Sequence, residues 1–577
     1  MKKAIFIILI ASLSIIPLSA QKKQQETVIK REVTLYNPYR PSLNDVLKKS
    51  FLPDLTDTAT IKPVFRYDIQ SRPFMPLYSI SSIKPASLVP DPLPKLYKSY
   101  IKLGIGDYLT PLGEVSITNE RSKTGAIGLN LRHFSTNGKV KLQNDRKVFA
   151  GYMDNDASLY GKKFFQSSIL QGSVDFSQKV RYAYGYDTIF RNYYPQKKDI
   201  KLNYINAGAN IGLASAVNDS SQLQYDFNLK YNFFTSASDL YLHNIGIHGI
   251  AAKNYAGFYM GSGIDFDHYL FSDSLRTDPR FVFSISPFVK KKTSDWAIKL
   301  GLQFLVDRRV EGPAKLHFYP DVDFRFNIVP SYVSFFADLS GKMEQNSPSN
   351  VILQNPFLKS DRGLYNIANT DYALVFRGGL TGSTGMGGNY HLSASYSIVN
   401  DFLMFSNEVA DIFYFPFDSL RRGNYFNPVS DNTEILNIHG EFNGKINENF
   451  SFNAAGNYYR YTLDKIEFAW NMPDWDGRLG VKYNLVNKIF AGVELEALGR
   501  RIELLSAETM FYGTPVYSKR MLQMPAHFNI NLNAEYKYTR ILSFWVKLNN
   551  ISFDKYYEWA NYPSLRFIGL IGFTYSL

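Results

Sequence analysis

The sequence predicts an all-β transmembrane protein: a closed antiparallel barrel of about 22 strands behind a short irregular N-terminal arm. Three observations carry that reading. Apolar and polar residues alternate with period two from Lys98 to Leu577, the pattern of strands with one apolar and one polar face. Aromatic residues make up 16% of the 577 residues, with 41 Tyr and 44 Phe, as expected where a lipid-facing band is edged by aromatic girdles. Connections between the alternating segments are short and long by turns, as in barrels with tight turns at one end and loops at the other.

The first 20 residues read as a secretory signal. Lys2 and Lys3 precede an apolar stretch from Ala4 to Leu18, and Leu18-Ser19-Ala20 offers a cleavage site before Gln21. Residues 21–96 hold ten of the 26 prolines and show no sustained alternation. They read as an extended arm in the periplasm or the barrel lumen, with a helical turn near Leu43 to Lys49. Past residue 20 no apolar run is long enough for a membrane helix. The absence of Cys excludes disulfides, thiol catalysis and zinc–cysteine sites. A net charge of +13 calls for anionic neighbours; with an export signal, lipopolysaccharide-like lipids or acidic glycans fit better than nucleic acid.

Residues 97–577 form the predicted barrel. Leu223, Tyr225, Phe227, Leu229, Tyr231 and Phe233 alternate with Gln222, Gln224, Asp226, Asn228, Lys230 and Asn232. Phe528, Ile530 and Leu532 alternate with Asn529, Asn531 and Asn533, and Val322, Phe324 and Phe326 with Asp323 and Arg325. A polar face rich in Asn, Gly, Asp and Glu indicates a wet interior. Short connections are expected near Ser122, Phe165, Asn218, Lys253, Thr293, Pro330, Gly385, Asn447, Asn487 and Thr539. Long ones run from Ser135 to Asp156, Tyr184 to Asp199, Gln345 to Thr370, Glu408 to Asn432 and Arg500 to Met524. An even strand number with the C-terminus in the periplasm places both barrel ends there and every long loop outside.

The last strand ends at Leu577 with Ile571, Phe573, Tyr575 and Leu577 on one face and Ile568, Leu570, Gly572, Thr574 and Ser576 on the other. Leu570 stands where a polar lumenal residue is expected. Gly572, Tyr575 and Leu577 resemble the Gly-x-x-aromatic-x-hydrophobic ending that outer-membrane barrels present to their insertion machinery. Leu548-Asn549-Asn550-Ile551-Ser552-Phe553-Asp554-Lys555-Tyr556-Tyr557 before the final hairpin resembles the penultimate region of TonB-dependent receptors. The resemblance covers roughly residues 98–577. It implies a Gram-negative-type outer membrane as location, with outer-membrane lipid and the insertion machinery as neighbours. The 76 residues from Gln21 to Leu96 are too few and too proline-rich for the full plug of that family. Glu26, Thr27, Val28 and Ile29 resemble a box that contacts TonB.

Chemistry is hard to find. The eight His residues are scattered, and His243 and His248 fall on opposite faces of one strand. Glu494 and Glu496 share a face, as alternation alone would arrange. Gly382-Ser383-Thr384-Gly385 falls at a turn with no helix to follow, which excludes a phosphate cradle. No catalytic residue, metal site or cofactor is expected. Aromatic and basic outer loops are the candidate contacts for a ligand or partner: Arg191, Tyr193 and Tyr194 in one, Phe413, Tyr414, Arg421 and Arg422 in another, Tyr512 in a third. Such loops also pack on each other to close a mouth. The functional expectation is uptake of nutrients or glycans through a gated lumen. Its alternative is a barrel that transports nothing and serves as a subunit of an envelope assembly or secretion complex.

Overall fold

The computed structural model describes residues 97–577 apart from 120–121, 143–144, 186–195, 217–220, 237–239, 273–278, 309–311, 360–361, 386, 411–424 and 512–513. Residues 1–96, with the proposed signal, arm and TonB-contact box, lie outside them.

Twenty-four strands form one sheet, from Ser99–Gly106 to Ile568–Ser576. The hairpin Arg501–Phe511 and Thr514–Met524 leaves the wall, so Ile489–Leu498 pairs directly with His527–Lys537. The remaining 22 strands pair antiparallel, each with the next in the chain, and the first closes on the last from Tyr100↔Ser576 to Gly106↔Leu570. The alternation sorts side chains as the sequence predicts. In Gln224–Thr235, Phe227, Leu229 and Tyr231 are exposed on the outer face. Asn232 on the opposite face donates to Asn206 Oδ1 of the next strand at 2.8 Å. Inside, charges pair across strands: Arg181 with Asp154 at 2.7 Å, Lys299 with Asp321 at 2.5 Å, Arg377 with Asp338 at 2.6 Å. The exposed belt is the surface a bilayer solvates.

The two ends differ. One carries both barrel termini and short turns at 119–124, 165–167, 216–223, 256–257, 293–295, 330–332, 384–388, 446–449, 486–488 and 538–541. The tightest needs positive φ at both residues, Ala256 at 50° and Gly257 at 80°. The other end carries the longer connections, with exceptions to the expected pattern: 107–109, 236–240 and 309–314 are also short. Two expected loops contain strand. Hydrogen bonding continues beyond the belt, so Asn389–Ala410 and Tyr425–Lys445 leave only 411–424 between them. The stretch from Arg500 to Met524 is the protruding hairpin. The connection 345–369 holds two helices, Pro348–Gln354 and Arg362–Tyr365, which the alternation did not foretell.

The closing seam explains the unexpected Leu570. Gly104, Gly572 and Trp545 stand opposite one another on three adjacent strands. The Trp545 indole lies over both glycines: a Cβ on Gly104 would fall 2.4 Å from the ring, and one on Gly572 2.5 Å. Ile568 and Leu570 are buried with Trp545 in one inward cluster that Leu112 and Phe134 extend. The seam is therefore packed from inside by apolar groups at a level where strands such as Gln224–Thr235 carry polar inward residues. Lys102 Nζ sits 4.7 Å from the indole centre, a cation over an aromatic face.

Gly104→Ala should lower the thermal stability of the assembled barrel, because the indole has no room for the methyl group. Trp545→Leu introduced together with it should recover part of the loss. Heat-modifiable gel migration across a temperature series reads both, and additive losses in the double variant would contradict this packing.

Candidate functional site: the sealed mouth

At the loop end the inward faces change character. Lys230 and Asn232 are followed on the same face by Phe234, Asp265 and Asp267 by Tyr269, and Leu202 and Tyr204 stand beside them. These aromatic and aliphatic positions are buried because the connection 345–369 folds into the mouth over them. Asn346-Ser347-Pro348 starts its first helix. Ser347 takes the N-cap with its hydroxyl accepting from Asn350 N–H at 3.4 Å, and Pro348 supplies the first helical residue. Pro356 follows where that helix stops. Val351, Ile352, Phe357, Leu358, Leu364 and Tyr365 enter one core with the wall residues.

A second connection, 550–567, completes the seal with the short hairpin Tyr557–Trp559 and Tyr562–Pro563. Tyr562 stacks on Phe357 with centroids 3.8 Å apart, and Tyr184 meets Tyr562 edge-on at 4.9 Å. Trp559 packs against Phe405 and Phe426. Above the bulge at Asp401, where φ is 52° and the register slips, the strand Asn389–Ala410 is covered on both faces. Leu403 and Phe405 join the mouth core, while Phe402 and Met404 join a cluster with Trp470.

Side chains tie these connections to their surroundings mainly by bonding backbone carbonyls. Tyr204 OH donates to Pro356 O at 3.0 Å, Arg280 Nη1 to Ile367 O at 3.0 Å, and Tyr184 OH to Pro563 O at 3.0 Å. From within the cap, Tyr365 OH donates to Leu240 O at 3.0 Å. Gln345 Nε2 donates to Asp267 Oδ2 at 2.8 Å, and that carboxylate also faces His248 Nε2 at 3.5 Å. The protruding hairpin clamps the second connection. Arg501 donates to Glu558 O at 2.7 Å, to Tyr557 O, and to Asn471 Oδ1 at 3.0 Å. Two residues along, the fully buried Glu503 accepts from Ala560 N–H at 2.8 Å. Burial pushes its carboxyl up to about 8, against the opposing pull of that N–H and of Arg501. Burial likewise raises the Tyr556 and Tyr365 phenols to about 12, so both stay neutral hydrogen-bonding groups.

The sequence-predicted loop residues Arg191, Tyr193, Tyr194, Phe413, Tyr414, Arg421, Arg422 and Tyr512 lie outside the described residues. Tyr184, from the same loop as the first three, packs into the seal. Gly572 underlies Trp545, Tyr575 stands opposite Ile101 and Leu542, and Leu577 exchanges backbone hydrogen bonds with Ser99 at 2.9 and 3.0 Å. His243 and His248 do face opposite ways: Tyr231 OH lies 2.8 Å from His243 outside, while His248 meets Asp265 at 3.1 Å inside. Glu496 contacts Arg478 at 3.8 Å and Asn529 at 3.4 Å. No group of three metal-ligating side chains occurs among the described residues. The sequence marks 345–370 as a long connection but not its two helices, although Ser347-Pro348 is a recognisable helix start.

The chain matches no family model and no curated protein sequence. Its fold is shared with solved outer-membrane receptors of the TonB-dependent kind. It is similar to the FrpB iron transporter from Neisseria meningitidis (TM-score 0.62, 9% identity, covering 84% of this chain and 82% of that one). Similar too are the copper transporter OprC (0.59, 11%, 84% and 82%) and the pyoverdine receptor FpvA from Pseudomonas aeruginosa (0.59, 11%, 84% and 79%). At such identities the likeness is one of fold.

Glu503 makes the clamp pH-dependent. Its folded value lies above the ordinary 4.5, so the folded state holds the proton more tightly than the unfolded state does. The clamp is favoured at low pH, and that contribution is lost as pH climbs from about 4.5 to about 8. Hydrogen exchange at the Ala560 amide should quicken across that range beyond the intrinsic base catalysis, and Glu503→Gln should flatten the excess.

Proposed function

We propose that this protein is an outer-membrane barrel that takes up a nutrient through a gated lumen, with 345–369 and 550–567 as the gate. The observation that carries the reading is the mouth itself: a transporter-type wall whose loop end is closed by the chain's own connections, held through carbonyl hydrogen bonds and side-chain packing. Likeness of fold to metal and siderophore receptors supports uptake in general and names no substrate. In this reading the turn end and both barrel ends face the periplasm. The N-terminal signal is removed on export, and residues 21–96 form the arm. Glu26, Thr27, Val28 and Ile29 contact TonB, while Gly572, Tyr575 and Leu577 address the insertion machinery. Arg191, Tyr193, Tyr194, Phe413, Tyr414, Arg421, Arg422 and Tyr512 offer the outer ligand contacts.

The same seal favours a second reading. Its core buries Leu364, Tyr365, Phe426 and Tyr562 almost completely, and a mouth packed so firmly also suits a barrel that moves nothing and anchors an envelope assembly.

The chain has no native Cys, so one introduced thiol reports access cleanly. Asn206→Cys, in the lumen beneath the gate, should resist a membrane-impermeant maleimide added to intact cells and become reactive when residues 347–368 are replaced by a short Gly-Ser linker. Uptake predicts that labelling also rises in energised cells given the substrate, and that deleting residues 26–31 abolishes the rise. Protection under every condition, with stable partners co-purifying in mild detergent, would replace uptake by the second reading.

A further inference from the structure

We propose that the lumen carries, directly beneath the gate's first helix, a binding slot for a short acidic saccharide. A cavity of about 540 Å3 lies there, within the size range of small-molecule sites. Three neighbouring strands floor it. Ser173, Ser177 and Lys179 come from the first, Asn206 and Asn210 from the second, Lys230 and Asn232 from the third. The register sets its length. Lys179 pairs with Tyr204 at one end, and Lys230 pairs with Asn210 at the other. Six residues along a strand separate those levels, about 20 Å. Gly208 at the middle, opposite Asp175 and Asn232, lacks a side chain and leaves a trough.

The chemistry of the trough selects the ligand. Its amides and hydroxyls are donors and acceptors of the kind that match sugar hydroxyls. The floor's carboxylate is occupied: Asp175 accepts from Ser158 at 2.6 Å and Ser173 at 2.8 Å. Neither Lys179 nor Lys230 forms a salt bridge among the described residues. Asp267, whose field reaches Lys230, is bonded to Gln345 and faces His248. Two ammonium groups near opposite ends of a polar slot, whose one carboxylate already accepts two hydroxyl hydrogen bonds, fit a ligand with spaced anionic groups and hydroxyls between them. From the roof, Leu353 of the gate helix reaches the cavity with 65% of its surface exposed, an apolar face on which a sugar ring can lie. The slot stands apart from the uptake reading, since binding there requires no transport.

Isothermal titration of the full-length protein in detergent micelles tests it, with trigalacturonate, long enough to meet both lysine side chains as they lean inward, as probe and maltotriose and inorganic phosphate as comparators. Trigalacturonate should bind saturably, and both comparators at least about tenfold more weakly. Lys179→Gln and Lys230→Gln should each weaken trigalacturonate by about tenfold or more, the loss of one charge-assisted hydrogen bond. Heat-modifiable migration verifies that both variants remain assembled. The proposal is overturned if trigalacturonate shows no saturable binding, if maltotriose or phosphate binds equally well, or if neither substitution changes its affinity.

Discussion

Everything in this molecule follows from one constraint: inside a bilayer each backbone N–H and C=O must find its partner within the protein. An open sheet cannot satisfy this, because its edges would present a row of unpaired groups to lipid. The first and last strands therefore have to meet, and the seam between them is where local rules bend. Away from the sealed mouth the inward face is otherwise largely polar. At the seam Trp545 covers Gly104 and Gly572, with Ile568 and Leu570 beside it. Two adjacent glycines leave a gap in the wall's inner surface that a large flat side chain fills from the third strand. Leu570, anomalous as one position in an alternating strand, is ordinary as part of that patch.

A second consequence is width. A wall of 22 strands encloses more space than its own inward side chains can fill, so closing the backbone creates a hole that has to be managed separately. The chain manages it at the loop end by lengthening two connections and changing the inward residues that receive them. Lys230, Asn232 and Phe234 lie on one face of one strand, polar where water reaches and aromatic where the gate sits. The wall is thus shaped for its occupant, which argues that 345–369 belongs in the mouth rather than resting there by accident.

The sequence made the wall legible because period-two alternation is dictated by the bilayer on one side and water on the other, independently of any long-range contact. The ten turns were legible for the same reason: they are the points at which alternation breaks. What could not be read was anything decided by contacts between distant segments. Tyr184 reads only as the start of a long outer loop, but its place depends on Phe357 and Tyr562, far away in the chain. The span from Glu408 to Asn432 reads as one long loop because, beyond the lipid, alternation no longer marks a strand: the adjacent Tyr425 and Phe426 are both buried. The clamp at Arg501 and Glu503 carried no local signal at all, since two charged residues on alternate positions are what an exposed strand would show.

How the seal is fastened bears on whether it can open. The wall is held by an unbroken ladder of backbone hydrogen bonds that closes on itself. The gate borrows little from that ladder. Its described attachments to the wall and the flanking connections are side-chain bonds made through Tyr204, Arg280, Tyr184 and Gln345 and one short backbone bridge at Leu358 and Phe426, together with apolar packing. The neutral bonds are worth about 0.5–1.5 kcal/mol net each and those of Arg280 and the Asp267 carboxylate about 1.5–3, so withdrawing the connection exchanges separable contacts for water and leaves the wall strands paired. The apolar core beneath it is the larger barrier, because it exposes many aromatic surfaces at once. A seal built this way stays shut unaided, and under the uptake proposal its opening draws on free energy from a ligand's contacts or from a pull on the opposite side of the membrane. That is the behaviour a gated transporter requires, and it asks nothing of the barrel wall.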